Sequence, residues 1–243
     1  MRSVRRSAIT LALLVALTSL PRMQDAVPPR AGAIVIDPGH GGDDTGARGA
    51  GGLLEKQFAL EIALRVRSLL EAQPWLRVVL TRDGDRAVTF DERASIANAA
   101  QADLLLSLHA NTAPAASVSG AEVYYSALEP APGDLLPVGD EPLTLLPWED
   151  AQARQFDASA RAAALVQEEL QRLGPMRPPP IRQAPLRMFR GAAMPAVLVE
   201  LLFLSNPDQE AAAATPELKD ALATALAASI SRFLARPDSP LLP

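Results

Sequence analysis

The sequence predicts a single α/β domain built on a mostly parallel, twisted sheet with helices on both faces. Three observations carry this prediction. Short apolar runs rich in Val, Ile and Leu alternate with segments of helical periodicity. The runs do not alternate with polar residues, so both of their faces need burial, as in parallel sheets. The length of 243 residues suits one hydrophobic core and leaves no room for a second large one.

The elements follow in order. Ala33 to Asp37 (AIVID) is a β-branched run stopped by Pro38-Gly39. From Glu55 to Gln73, apolar residues recur at helical spacing through Phe58, Ile62, Val66 and Leu69/Leu70, and Pro74 ends the helix. Arg77 to Thr81 (RVVLT) reads as a strand before the turn Asp83-Gly84-Asp85, and Asp91 to Gln101 as a short helix. Leu104 to His109 (LLLSLH) and Glu122 to Tyr125 read as strands. A helix is expected from about Ala151 to Leu173, stopped by Gly174-Pro175. Ala196 to Glu200 (AVLVE) is a further strand, and the last helix follows Thr215-Pro216.

The flanks read differently. Arg2, Arg5 and Arg6 precede the uncharged run Ala8 to Leu20, so residues 1–22 are expected to be a signal peptide or N-terminal anchor. Residues 23–32 read as a linker, 33–236 as the folded domain and 237–243 as a C-terminal tail. Without residues 1–22 the formal charge falls from −5 to −9, a poor balance for nucleic acid or an anionic membrane surface. Contact with a membrane is expected only through an uncleaved N-terminal segment. The chain has no cysteine, which excludes disulfides and thiolate ligands.

Chemistry concentrates at strand ends. The two histidines of the chain are His40, just past AIVID, and His109, the last residue of LLLSLH; AVLVE ends in Glu200. If these strands are parallel, all three residues share one edge of the sheet, where ligands bind in such folds. Each could be a plain turn or capping residue, but three together favour a site. Glu55, at the start of the first helix, falls on the same edge; spacing alone leaves Asp43 and Asp44 as competing ligands. Two imidazoles and a carboxylate suit a catalytic zinc with an open position, and a further carboxylate can act as base.

The segments IVIDPGHGGDDTGA (34–47), LLEK (53–56), VVLTRDGD (78–85), ERASIANAAQADLLLSLHAN (92–111), GAEVYY (120–125) and MPAVLVELLFLSNP (194–207) together resemble the zinc-dependent, cell-wall-lytic N-acetylmuramoyl-L-alanine amidases (Amidase_3 type). The resemblance covers roughly residues 33 to 235. It implies a Zn²⁺ held by His40, Glu55 and His109, with Glu200 as general base and acid. It places Arg190 where the family often has an arginine shortly before MPAVLVE, with a role in holding substrate, and Asn111 where substrate contact competes with capping of the turn. It implies peptidoglycan as substrate, a periplasmic or extracellular location and an activator protein as a further partner. The rivals are a catalytically silent wall-binding regulator on the same fold and a zinc peptidase cutting the stem peptide itself.

Two departures stand out. Leu202 replaces the glycine of the usual ELGFLSN, which is expected to reshape the strand exit near Glu200. The stretch 126–148 is longer and richer in proline than in minimal members and reads as a loop without strand or helix. Its leucines and Trp148 make it either a loop packed on the surface or a lid over the cleft.

Overall fold

A computed structural model of the chain describes residues 32–126, 136–138, 141–145 and 148–235. The N-terminal segment, the linker up to residue 31 and the 237–243 tail lie outside the described residues. The strands are β1 (Gly32–Pro38), β2 (Leu76–Leu80), β3 (Leu104–Asn111), β4 (Ala121–Ser126), β5 (Leu136–Val138), β6 (Glu141–Leu145), β7 (Met176–Ala184) and β8 (Ala196–Phe203). The α-helices are α1 (Glu55–Leu70), α2 (Phe90–Ala99), α3 (Phe156–Gln171), α4 (Pro207–Ala213) and α5 (Pro216–Leu234).

Six strands form one sheet in the order β2-β1-β3-β8-β4-β7. The pairs β1/β2, β1/β3, β3/β8 and β4/β7 are parallel, and only β4/β8 is antiparallel. The expected mostly parallel sheet is therefore present, and its apolar runs are buried on both sides. Ile34, Ile36, Leu104, Leu106 and Leu108 face a cluster completed by α1, α3 and α5. Val35, Leu105 and Leu198 face the opposite way, against Ala94 and Ala97 of α2 and against Met188 and Phe189 of a 3-10 turn. The period-two alternation of strand side chains explains why both faces had to be apolar.

Beyond the short helix α4, which was not expected, three features differ from the expectations. Within 126–148 the chain forms a two-stranded antiparallel ladder, Leu136 opposite Leu145 and Val138 opposite Glu141. Prolines do not forbid so short a pair, because neither strand needs every N–H for a neighbour; residues 127–135, 139–140 and 146–147 lie outside the described residues. β7 was not expected at all, since it contains Pro178, Pro179 and Pro180. It occupies the sheet edge, where missing donors cost nothing on the open side. The helix expected from Ala151 begins instead as a 3-10 segment, Trp148–Gln155, before α3.

Leu202 does not crowd the exit of β8. The β3/β8 register shifts between the His109–Glu200 and Asn111–Phe203 pairs. Leu201 and Leu202 both join the cluster under α3 and α5, and Leu202 is 2% exposed. The bulge thus turns the larger side chain into the core, away from the face that carries Glu200.

Candidate metal centre

The parallel strands bring the expected residues to one edge. His40 follows β1, His109 lies near the end of β3 and Glu200 lies on β8, where it pairs in register with His109. Glu55 opens α1 and is buried. One donor atom from each of His40, Glu55 and His109 lies within 4.8 Å of the others. Glu55 Oε1 is 3.0 Å from His40 Nε2 and 2.8 Å from His109 Nδ1. Asp43 and Asp44 stand outside this group: Asp43 is exposed, and Asp44 sits behind His40, with Oδ2 2.8 Å from Nδ1. A carboxylate in that position orients an imidazole rather than replacing it.

The backbone was shaped around these side chains. A Cβ on Gly39 would fall 2.2 Å from His109 Cε1, and one on Gly46 would fall 2.5 Å from Glu55 Oε2. His40 itself has φ 60, a left-handed conformation uncommon for a non-glycine residue and often found at functional sites. Two buried arginines hold it there. Arg82 donates to the carbonyls of Pro38 (3.0 Å), Gly39 (2.6 Å) and Lys56 (2.8 Å). Arg93 donates to the carbonyls of Pro38 and His40, each at 2.9 Å, and to the buried Asp37 carboxylate. Thr81 (2.5 Å) and Ser107 (2.8 Å) donate to the same carboxylate. No local pattern in the sequence marks these residues.

The electrostatics separate the two carboxylates. Burial alone would raise the proton affinity of Glu55, but bonds from both imidazoles and the Ala47 N–H outweigh it, and Glu55 is held well below the usual range. Glu200 is pushed up to about 7, chiefly by burial, with Glu55 and Glu122 adding to the rise and the imidazoles opposing it. For His40, burial favours the neutral ring, but Glu55 and Asp44 prevail and raise its affinity for a proton. One carboxylate is thus ready as an anionic ligand and the other as a proton carrier.

The site also holds unsatisfied atoms. Among the described residues four buried side-chain atoms lack a hydrogen-bond partner: His109 Nε2, Glu200 Oε2, Arg182 Nε and Gln152 Oε1. Two of the four belong to His109 and Glu200, which marks a centre built for something beyond its own side chains. Two imidazoles and a carboxylate are the donor set of a catalytic zinc, so the residues fit the ion that the sequence resemblance implies.

A family model described as N-acetylmuramoyl-L-alanine amidase matches residues 34–232. The chain belongs to this family. The amidase AmiC of Neisseria meningitidis is 31% identical over 224 residues, which are 84% of this chain and 53% of that protein. The chain thus spans about half the length of that relative. Among solved structures, the amidase AmiC2 of Nostoc punctiforme is 31% identical with a TM-score of 0.68, covering 85% of this chain and 98% of that one. The catalytic domain of the amidase CwlV from Bacillus (Paenibacillus) polymyxa is 29% identical with a TM-score of 0.67, covering 84% and 98%. The family's catalytic fold therefore accounts for the described residues of this amidase-family chain.

The two residues expected near substrate differ in setting. Asn111 uses both ends of its side chain internally: Nδ2 donates to Glu122 Oε2 (3.0 Å), and Oδ1 accepts from Thr112 N (2.8 Å). That is the turn-capping arrangement. Arg190 is exposed and follows the 3-10 turn Arg187–Phe189. Glu122, which the sequence reading passed over, is fully buried on β4 directly opposite Glu200. Its signal was a lone carboxylate inside the apolar strand AEVYYS.

Proposed function

We propose that this chain is a zinc-dependent N-acetylmuramoyl-L-alanine amidase that hydrolyses the amide joining N-acetylmuramic acid to L-alanine in peptidoglycan. The observation that carries the proposal is the convergence of His40, Glu55 and His109 on one point beside the buried Glu200. Membership of the amidase family supplies the substrate class. His40, Glu55 and His109 would hold the metal, with Asp44 orienting His40. Zinc held there supplies Lewis-acid polarisation of the scissile carbonyl and lowers the pKa of water.

The chain's own residues do the rest. Glu200, with Oε2 unpartnered, accepts the proton of the attacking water. The same oxygen then returns that proton to the leaving nitrogen of L-alanine, so one group serves as base and then as acid. A proton affinity near neutrality suits both steps. Glu55, anionic and anchored by the N–H groups of Ala47 (2.7 Å) and Ala110 (3.1 Å), fixes the ligand geometry. Arg190, exposed just after the 3-10 turn Arg187–Phe189, is assigned to substrate binding.

The location that follows is the cell envelope, periplasmic or extracellular, where this polymer lies. Among the described residues no helix is long and apolar enough to cross a membrane. The test is mass spectrometry of peptidoglycan digested by the zinc-loaded protein. The proposal expects intact stem peptides beginning with L-alanine and glycan strands free of peptide. Fragments cut within the stem peptide would replace it with a peptidase, and an undigested polymer with a silent binding protein.

A further inference from the structure

Glu122 is more than a neighbour of Glu200. It is fully buried, and both of its oxygens are engaged. Oε1 accepts from Arg177 Nη1 (2.7 Å) and forms an ion pair with Arg182 Nη2 (3.0 Å), which donates to the Pro178 carbonyl; Oε2 accepts from Asn111 Nδ2 and the Tyr124 hydroxyl, each at 3.0 Å. The register places these groups on one face. Glu122 is directly opposite Glu200 on the antiparallel pair, and Arg182 is directly opposite Tyr124 on the parallel pair β4/β7. The Arg177 guanidinium also lies 5.6 Å from the centre of the Phe203 ring.

One negative charge therefore meets two positive ones. Among the described residues, no other carboxylate forms an ion pair with Arg177 or Arg182. Both arginines reach toward solvent, with side chains 40% and 26% exposed, although their common partner is fully buried. A single arginine would neutralise Glu122. The second leaves a surplus positive charge on the solvent side of this buried carboxylate. An anion arriving with the substrate would balance that charge. In the uncut substrate the lactyl carboxyl is tied up in the amide, so the free carboxylates lie on the peptide.

We propose that Arg177 and Arg182, held in place by Glu122, form a carboxylate-binding subsite beside Glu200 that receives a carboxylate of the peptide on the amine side of the scissile bond. This rests on the amidase reading above. Guanidinium groups suit planar carboxylates, and such charge-assisted bonds are about twice as strong as neutral ones.

The test uses the zinc-loaded full chain and two synthetic muramoyl-peptides. They are identical except that the residue after alanine carries a free carboxylate in one and a carboxamide in the other. The expected result is a preference for the acid of about ten- to a hundredfold in kcat/KM, seen mainly in KM. Arg177→Gln and Arg182→Gln should each shrink that ratio toward one, whereas Arg65→Gln on α1 should keep it. Arg182→Gln risks unfolding, because it strips a partner from a buried carboxylate; Arg177→Gln, at a more exposed side chain, then decides. A wild-type ratio near one, or a ratio unchanged in folded arginine variants, would overturn the subsite alone. Failure of the wild type to cleave either peptide would overturn the amidase reading and the subsite with it.

Discussion

At the scale of the residue, Glu200 meets two opposed requirements. It must be dry enough to hold a proton near neutral pH, yet charged enough to take one. Glu200→Gln keeps the shape and removes the base. Turnover on peptidoglycan should fall by about 10²–10⁴-fold while bound metal stays at wild-type level. Near-wild-type turnover would place the base elsewhere. The same burial has a cost in the metal-free protein. Its unfolded form loses the Glu200 proton near the ordinary 4.5, whereas the folded form keeps it until about 7. The group is neutral in both forms below pH 4.5, and its ionisation opposes folding progressively between 4.5 and 7. Above that window the penalty is on the order of 3 kcal/mol. Glu200→Gln should therefore raise the melting temperature of the metal-free protein at pH 8 and change it little at pH 4.5. An equal shift at both values would show that burial of the charge is not the cause.

Residues at this scale differed in how far the sequence revealed them. His40, His109 and Glu200 were legible because each ends an apolar run that must be a buried strand. Glu55 could not be separated from Asp43 and Asp44 by spacing, since the intervening glycine-rich loop folds back on itself, with Gly41 N bonded to the Asp44 carbonyl. Arg82, Arg93, Asp37 and Glu122 escaped notice because buried ionic networks join distant segments and leave no local periodicity. A charged residue inside an otherwise apolar strand was the one available sign, and only Glu122 showed it plainly.

At the scale of the element, α4 shows how a short helix can matter to a site it does not touch. Asn206 caps it, accepting from Asp208 N and Gln209 N, each at 3.1 Å, with Pro207 at the first helical position. On α4, the buried Glu210 accepts from Gly51 N (2.8 Å) and Leu53 N (3.1 Å), in the loop that leads directly into Glu55. A Cβ on Gly49 would fall 2.1 Å from Glu210 Cδ, so the loop is wrapped closely around that carboxylate. Glu210→Ala should loosen the approach to Glu55 and weaken zinc binding by about ten- to a hundredfold, the usual effect of losing a group that supports a ligand. Competition with a chromophoric chelator measures this, and unchanged affinity would confine Glu210 to structure. α4 and β7 are hidden in the sequence for opposite reasons. α4 is too short for its periodicity to stand out, and the prolines of β7 conceal an edge strand whose role is tertiary.

At the scale of the whole molecule, the sheet order decides what the site can be. Parallel β1, β3 and β8 send His40, His109 and Glu200 to one edge, and the single antiparallel step to β4 turns Glu122 onto the same face. Helices on both faces leave that edge as the place where backbone turns and polar side chains gather. A metal held by His40 after β1, Glu55 of α1 and His109 of β3 would tie together segments far apart in the chain, so its binding should stabilise the fold as a unit. The most direct measurement is the zinc content of the purified full chain and of the His40→Ala/His109→Ala double variant, by elemental analysis after dialysis. One zinc per wild-type chain, and none in a double variant that still folds, is the predicted result. Stoichiometric zinc in the double variant, or a fully active wild-type protein carrying no metal, would contradict it.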